Sequence, residues 1–319
     1  MQYKVVMTDH VYPDLALESK AFAEAGAEFV YLDTKEEKLI ASAVADADAV
    51  ITCYASINAD IIKTMRKCRS ISKTGIGVNN IDVEQATKQG IRVLNVPDYC
   101  IEEVSDATVA QVLALTRRIP FLWDKVRDGE WSLEGNKGIS RLNGKTMGFL
   151  GFGRIARRAA EKMKPFGVKI IAYDPYVTQE SVAGFAVEMV DLEKLFSDAD
   201  ILSLNVPLSA ETQDIINKDA LKKMKKSAII VNTARGPLIN EANLCDAIRE
   251  GEIAGAALDV ICTETYDERN PLFSLPNVVI TPHAAFYSVE STQELREKVL
   301  ADVLAILEGN APKYQVNKL

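Results

Sequence analysis

Short apolar runs alternate with stretches of helical periodicity along most of the chain. In the first third, apolar runs of strand length occur at YKVVMTD, AEFVYL, ADAVITCY, RSISKTG and IRVLNVP. Helical stretches such as DLALESKAFAEAG and DVEQATKQG lie between them. Runs of roughly four to eight mostly apolar residues joined by helices are typical of parallel sheets, whose strands are covered on both faces. The pattern predicts a doubly wound α/β unit over residues 1–99.

The same alternation returns further along the chain. Between about residue 145 and residue 284, the apolar runs are KTMGFLGF, VKIIAYDP, ADILSLNVP, SAIIVNTA, IAGAALDV and NVVITPH. A helical pattern with Ser105 as the expected N-cap, which Pro120 ends or kinks, would link the two units. The segment SVESTQELREKVLADVLAILEG predicts a last helix that packs on the first unit. We therefore predict two domains, residues 1–99 plus 287–319 and residues 100–286, joined by interdomain helices.

Composition limits the class of protein. The chain has 319 residues, of which 48% are hydrophobic and 26% charged, and this is enough for two globular domains with their own cores. The net charge of −8 disfavours nucleic acid or an anionic membrane as a partner, because binding to polyanions needs a basic surface. The N-terminal sequence MQYKVVMTDH reaches an acidic residue too early for a signal peptide, and the apolar runs are shorter than a membrane span. We expect a soluble, cytoplasmic protein.

The cysteines are odd in number and widely scattered, and none forms a C-x-x-C pair. This spacing suggests neither a disulfide framework nor a zinc site, so we expect no bound metal. All of them are interpreted as small buried hydrophobic residues. They are Cys53, Cys68, Cys100, Cys245 and Cys262.

The segment MGFLGFGRIARRAAEKMKPFGVKIIAYDP, residues 147–175, carries a phosphate-binding pattern. A predicted strand ends at Gly151-Phe152-Gly153-Arg154-Ile155-Ala156, a G-x-G-x-x-A turn that opens a helix, and the next strand ends in Asp174. Gly151 permits the tight turn, Gly153 lets the backbone approach a pyrophosphate, and the helix N-terminus favours the anion. Asp174 can bind both ribose hydroxyls and would repel a 2′-phosphate. The pattern predicts a Rossmann-like domain that binds NAD, with Arg154 either at the pyrophosphate or an exposed helix-start arginine.

His283 is one of two histidines in the chain and follows the apolar run VVIT. A structural histidine at the end of a strand is one interpretation. Arg235, Asp259 and His283 each follow a predicted strand of the second unit, at the carboxyl edge where open α/β sheets bind ligands. The position therefore favours a functional role for His283.

Several motifs together resemble the D-isomer-specific 2-hydroxyacid dehydrogenases over essentially the whole chain. In order, they are KTGIGVNNID, the G-x-G-x-x-A turn, NVPLSAET, VNTARGPLIN, GAALDV and TPHAAFYS. The resemblance implies a flavodoxin-like substrate domain over residues 1–99 plus 287–319, a Rossmann domain over residues 100–286, and a homodimer. It is strongest with the C-terminal-binding protein and phosphoglycerate dehydrogenase branches.

The resemblance also implies a role for each matched residue. Arg235 would bind the substrate carboxylate and carbonyl, His283 would donate and accept the proton, and Glu264 would be the carboxylate behind that histidine. The residues expected to bind the substrate are Gly75, Ile76, Gly77 and Arg235. Those expected to bind the cofactor are Ile76, Gly151, Gly153, Arg154, Ile155, Asp174, Val206, Thr233, Ala234 and Asp259. Arg235 as a surface arginine and Glu264 as a solvated loop acid remain alternatives, the latter because Thr265 replaces the family's usual proline.

The chemistry accounts for these residue types. Oxidation of a C2 alcohol requires a base to take the hydroxyl proton, and an imidazole can move a proton in both directions near neutral pH. A rigid guanidinium fork suits the coplanar oxygens of a 2-keto acid. We predict an NAD-dependent oxidoreductase that interconverts a D-2-hydroxy acid and its 2-keto acid. The alternative is an NADH-responsive regulatory protein with little turnover.

Overall fold

The computed structural model describes residues 3–133 and 139–319. The chain divides into two compact units, Met1–Cys100 with Ser288–Leu319, and Ile101–Tyr287. Cys100 therefore belongs to the first unit and Tyr287 to the second, so each boundary lies one residue from its predicted position.

The first unit contains a parallel sheet of five strands in its described residues, in the order β2-β1-β3-β4-β5. The strands are β1 Lys4–Met7, β2 Glu28–Tyr31, β3 Ala49–Thr52, β4 Ser70–Lys73 and β5 Arg92–Leu94. The helices between them are α1 Ala16–Glu24, α2 Glu37–Val44, α3 Ala59–Thr64 and α4 Val83–Lys88. Side-chain oxygens cap two of these helices, since Asn58 accepts the N–H groups of Asp60 and Ile61, and Asp82 accepts that of Gln85.

The second unit contains seven parallel strands among its described residues, in the order β12-β11-β10-β9-β6-β7-β8. The strands are β6 Thr146–Leu150, β7 Lys169–Tyr173, β8 Glu188–Met189, β9 Ile201–Leu204, β10 Ile229–Asn232, β11 Gly255–Leu258 and β12 Val278–Ile280. The helices are α5 Ile101–Thr116, α6 Ile119–Arg127, α7 Arg154–Met163, α8 Leu192–Asp198, α9 Lys218–Lys223 and α10 Glu241–Arg249. The strand order reverses at β6, so the carboxyl end of β6 is the topological switch point where such sheets bind ligands.

Alternate residues of each strand in the second unit enter the two cores that cover the sheet. In β6, Met147 and Phe149 pack in one core, whereas Leu150 packs in the other. This period of two explains why the strands read as nearly continuous apolar runs. The predicted fold class, two doubly wound α/β units with parallel sheets, is confirmed.

The last helix, α11 Val289–Leu307, belongs to the first unit, as predicted. Its Arg296 donates to both carboxylate oxygens of Glu18 on α1, at 2.8 and 2.7 Å. Ser288 and Ser291 form a reciprocal capping box at its start. Because both partners of the ion pair are buried, α11 is held firmly against α1.

Two predictions from the sequence are wrong. Ser105 does not begin the linking helix, because α5 already starts at Ile101, and the Ser105 hydroxyl donates to the carbonyl of Glu102. Cys262 is exposed in the loop after β11, whereas the other four cysteines are buried. Pro120 stands at the start of α6, where a missing N–H costs no helical hydrogen bond.

Candidate active site

The glycine-rich turn follows β6 at the switch point. Gly151 has φ +87, and a Cβ on it would lie 2.8 Å from the carbonyl carbon of Asn205 and 2.9 Å from Cγ1 of Val206. Only glycine fits this turn, which packs directly on the loop after β9. Gly153 is the N-cap of α7, and no heavy atom of the described residues lies within 4 Å of where its Cβ would stand. The N–H groups at the start of α7 therefore face open space that suits a pyrophosphate.

Asp174 follows β7 beside this turn. Its Oδ2 accepts the N–H of Phe152 at 2.9 Å, and its Oδ1 accepts the N–H of Tyr176 at 2.9 Å. Arg154 is exposed and Ile155 half-buried at the start of α7. The structure thus brings Asp174, the glycine turn and Val206 together. A carboxylate oxygen can accept more than one hydrogen bond, so Asp174 retains capacity for ribose hydroxyls.

The Arg235 loop is fixed by the buried side chain of Asn232, which ends β10. Asn232 Oδ1 accepts the N–H of Ala234 at 3.0 Å, and its Nδ2 donates to the carbonyl of Arg235 at 2.8 Å. The guanidinium of Arg235 is half-buried, and its Nη1 donates to the carbonyl of Ala234 at 2.6 Å. Thr233 Oγ1 lies 3.1 Å from Thr108 Oγ1 on α5. The sequence analysis did not identify Asn232, although it belongs to the quoted motif VNTARG.

His283 and Glu264 lie in contact. His283 Nδ1 is 2.9 Å from Glu264 Oε2, and the two side chains are 26% and 40% exposed. The ring of Phe286 meets the His283 ring edge-on, with 6.1 Å between centroids. An imidazole that is paired through Nδ1 with a carboxylate can move a proton through Nε2.

The backbone of His283 is left-handed, with φ +53, a conformation that costs energy for a residue with a side chain. Its N–H donates to the carbonyl of Asp259 at 2.7 Å. The carboxylate of Asp259 accepts from Thr281 Oγ1 at 2.5 Å and from the N–H groups of Ala284 and Ala285 at 3.0 and 2.9 Å. Asp259 is 2% exposed. Asp259, which follows β11, therefore fixes the loop that carries His283. The sequence analysis did not anticipate these hydrogen bonds.

The substrate residues Gly75, Ile76 and Gly77 lie in the first unit, after β4. Gly75 has φ +151, and its carbonyl accepts the N–H of Val96 at 2.9 Å. The carbonyl of Ile76 accepts from Asn95 Nδ2 at 2.7 Å. These bonds hold the loop, which bends at residues 74–76, at the carboxyl edge of the sheet.

Asp9 is a further buried carboxylate at the same edge, and the sequence analysis missed it. It accepts the N–H groups of Cys53, Tyr54 and Ala55 at 3.0, 2.6 and 3.2 Å. Burial opposes ionisation, but these N–H groups and the Thr8 hydroxyl lower the pKa of Asp9 below its ordinary value. Asp9 therefore fixes the turn after β3.

Two lysine side chains lie over the Tyr54 ring. The ammonium groups of Lys35 and Lys73 lie 5.2 and 5.4 Å from its centroid. Lys73 also donates to the carbonyl of Cys53. The carboxyl edge of the first unit is therefore locally basic.

Among residues 3–133 and 139–319, no three His, Cys, Asp or Glu side chains cluster in a way that could hold a metal ion. No helix in this part of the chain is long and apolar enough to span a membrane.

Residues 109–285 match the family described as "D-isomer specific 2-hydroxyacid dehydrogenase, NAD binding domain". The chain is 38% identical over 316 residues to the D-3-phosphoglycerate dehydrogenase of Methanocaldococcus jannaschii, covering 98% of this chain and 59% of that protein. It is 36% identical over 286 residues to the glyoxylate reductase of Korarchaeum cryptofilum, covering 88% and 86%. D-lactate dehydrogenase from Aquifex aeolicus, solved with NAD and lactic acid, matches with a TM-score of 0.89 and 27% identity over 96% of each chain.

Proposed function

This chain belongs to the family of D-isomer-specific 2-hydroxyacid dehydrogenases, and from that premise we propose that it interconverts a D-2-hydroxy acid and its 2-keto acid. The observation that carries the proposal is the pair of His283 Nδ1 and Glu264 Oε2, 2.9 Å apart. This pair lies in the unit that also holds the glycine turn and Asp174. A proton-transfer group and a dinucleotide cradle in one domain are what a hydride-transfer enzyme requires.

The cofactor is NAD, in agreement with the family match of residues 109–285. When bound, it supplies or accepts the hydride. Gly151 and Gly153 would admit the pyrophosphate, the N–H groups of Arg154 and Ile155 would bind it, and Asp174 would bind the adenosine ribose. Val206, Thr233 and Ala234 would hold the rest of the dinucleotide. Asp259 serves the nicotinamide side of the site chiefly by fixing the His283 loop.

The chain's own residues handle the substrate. Arg235 binds the carboxylate and carbonyl of the keto acid, and the backbone of Gly75, Ile76 and Gly77 binds the carboxylate. During reduction, His283 donates its proton to the carbonyl oxygen, which becomes the hydroxyl. Glu264 stabilises the protonated ring and holds its orientation. During oxidation, the same ring accepts the hydroxyl proton.

We also propose that the protein is a homodimer, formed through the second unit. Ile119, Trp123 and Val126 follow one face of α6 and are 56%, 59% and 41% exposed. Trp131 and Leu133 are 91% and 83% exposed just beyond this helix. Large apolar side chains exposed together mark an interaction surface.

A cavity in the second unit also supports a homodimer. Its volume is about 830 Å³, and it lies beside α6 at the amino end of the sheet. Phe121, Leu142, Phe273 and Pro276 are among its lining residues. A cavity beside these exposed apolar side chains suits a contact with a second copy of this chain. The odd number and wide spacing of the five cysteines favour a cytoplasmic location.

A panel of 2-keto acids with NADH tests the activity. The panel contains glyoxylate, pyruvate, hydroxypyruvate and 3-phosphohydroxypyruvate, and nicotinamide absorbance reports turnover. We expect at least one acid to be reduced with kcat on the order of 1–10³ s⁻¹, and the product to be the D enantiomer. Exclusive turnover of L acids would contradict the proposal. NADH binding without turnover of any acid would instead favour an NADH-responsive regulatory protein.

A further inference from the structure

Glu241 reaches from the start of α10 to the loop that carries Glu264. Its Oε1 accepts the backbone N–H of Cys262 at 2.5 Å. An acidic residue in the first turn of a helix usually serves the helix itself, by countering the dipole. Here the helix is capped separately, because Asn240 Oδ1 accepts the N–H of Asn243 at 3.1 Å. The carboxylate of Glu241 is therefore directed to a neighbouring loop.

The same loop rests directly on the turn that follows Arg235. A Cβ on Gly236 would stand 2.1 Å from the carbonyl carbon of Ile261 and 2.6 Å from the nitrogen of Cys262. Only glycine allows the two backbones to approach this closely. Glu241 and Gly236 thus hold the same peptide, one by a hydrogen bond and the other by contact.

Two other side-chain contacts hold this segment: Cys262 Sγ lies 3.9 Å from the carbonyl of Ile239, and the Tyr266 ring meets the Phe273 ring edge-on, with 5.0 Å between centroids. Residues 262–266 are all exposed, and their recorded backbone bond is a short turn from the Thr265 N–H to the Thr263 carbonyl at 2.7 Å. Ile261, which precedes them, is 7% exposed. The bond from Glu241 therefore lies at the point where the chain leaves the core toward Glu264. Hydrogen bonds with an ionised acceptor are among the stronger ones in proteins.

We propose that Glu241 is a positioning residue for the proton relay, and that it holds the loop so that Glu264 meets His283 Nδ1. The inference rests on the proposed function, since it assigns a role within that relay. Glu241 itself does not touch the substrate or the reacting atoms. Its effect on the reaction passes through Glu264.

Several charged groups lie around the relay and contribute to its electrostatic environment. Glu264 faces the His283 ring, and the carboxylate of Asp259 binds the N–H groups of the loop just after it. Partial burial of the thiol, followed by the carboxylates of Glu241 and Asp214, raises the pKa of Cys262 to about 12. Removal of the Glu241 charge should therefore lower the pKa of the Cys262 thiol.

Two substitutions separate the hydrogen bond from the charge. Glu241→Gln retains an acceptor oxygen, whereas Glu241→Ala removes it. We expect Glu241→Ala to lower kcat for keto-acid reduction roughly tenfold to a hundredfold, with NADH affinity unchanged, since deletion of the whole proton-transfer group costs about 10²–10⁴. Glu241→Gln should retain most of the activity.

The matched control is Glu250→Ala, an exposed acid at the other end of the same helix. We expect it to match wild type. In a Glu264→Gln background, Glu241→Ala should cost nothing further, because its effect passes through Glu264. Three results would each overturn the proposal. They are wild-type kinetics in Glu241→Ala, an equal loss of activity in Glu241→Gln and Glu241→Ala, and additive losses in the double variant.

Alkylation of Cys262 gives a readout that needs no turnover. The rate of its reaction with iodoacetamide at a fixed, mildly alkaline pH reports the thiolate fraction, and Cys262→Ser identifies the signal. Glu241→Gln should raise that rate, whereas Glu250→Ala should not. If wild type reduces no keto acid, the proposed function is contradicted, but alkylation of Cys262 still tests the contact between Glu241 and Cys262. If wild type turns over but Glu241→Ala matches it, only the positioning role fails.

Discussion

Replacing Asp259 by asparagine tests how the His283 loop is held. The buried carboxylate accepts from Thr281 Oγ1 and the N–H of Ala284 through Oδ1, and from the N–H of Ala285 through Oδ2. Asparagine has one acceptor oxygen, so in its better orientation the NH₂ group faces the N–H of Ala285. That exchange removes a charge-assisted bond and leaves a buried donor unpaired, a cost of about 2–4 kcal/mol in the free energy of unfolding.

Urea unfolding followed by far-UV circular dichroism measures this cost, at one fixed protein concentration because the proposed dimer makes the midpoint depend on it. The matched control is Asp246→Asn on the exposed face of α10, which should stay within about 0.5 kcal/mol of wild type. We also expect kcat of Asp259→Asn to fall more than its NADH affinity, because the strained His283 backbone loses its support. Unchanged unfolding with weaker NADH binding alone would refute the reasoning and make Asp259 a nicotinamide ligand.

Three further predictions concern the cofactor, the relay and the assembly. Because Asp174 should repel a 2′-phosphate, we expect kcat/KM to be at least about tenfold higher with NADH than with NADPH. Asp174→Ala should reduce this difference. Equal kcat/KM with both cofactors in wild type would refute the role of Asp174. Because His283 Nδ1 lies 2.9 Å from Glu264 Oε2, Glu264→Gln should lower kcat roughly tenfold to a hundredfold with NADH affinity unchanged, and wild-type kcat would make Glu264 a loop acid. Sedimentation at micromolar concentration should show a wild-type dimer and a Trp123→Glu monomer, whereas a wild-type monomer would contradict the assembly.

Local sequence signals predicted the parts of the site that lie at strand ends. Gly151, Gly153 and Asp174 occur where an apolar run meets a turn, so the sequence itself orders strand, turn, helix and acid. Arg235 and His283 were predicted for a similar reason, because each follows a strand of a parallel sheet. The contact between His283 and Glu264 was implied by family resemblance, and the structure places the two side chains 2.9 Å apart.

The supporting contacts were not predictable from local sequence, because each one joins segments that are distant along the chain. Asp259 binds the loop at residues 281–285, and Glu241 binds Cys262. Such pairs depend on strand order, which brings the loops after β11 and β12 to one edge of the sheet. Cys262 was wrongly assigned to the core because composition alone cannot separate a cysteine in a strand from one in the loop that follows it.

His283→Ala tests the central claim most directly. If His283 moves the proton at the substrate oxygen, kcat should fall by about 10²–10⁴ in both directions, while NADH binding, measured by fluorescence titration, stays at its wild-type value. His10→Asn is the matched control, since the other histidine accepts the N–H of Tyr12 through Nδ1 in the first unit and asparagine can keep an acceptor there. It should retain wild-type kcat. Near-normal turnover by His283→Ala would contradict the account and leave this histidine with a structural role at the end of its strand.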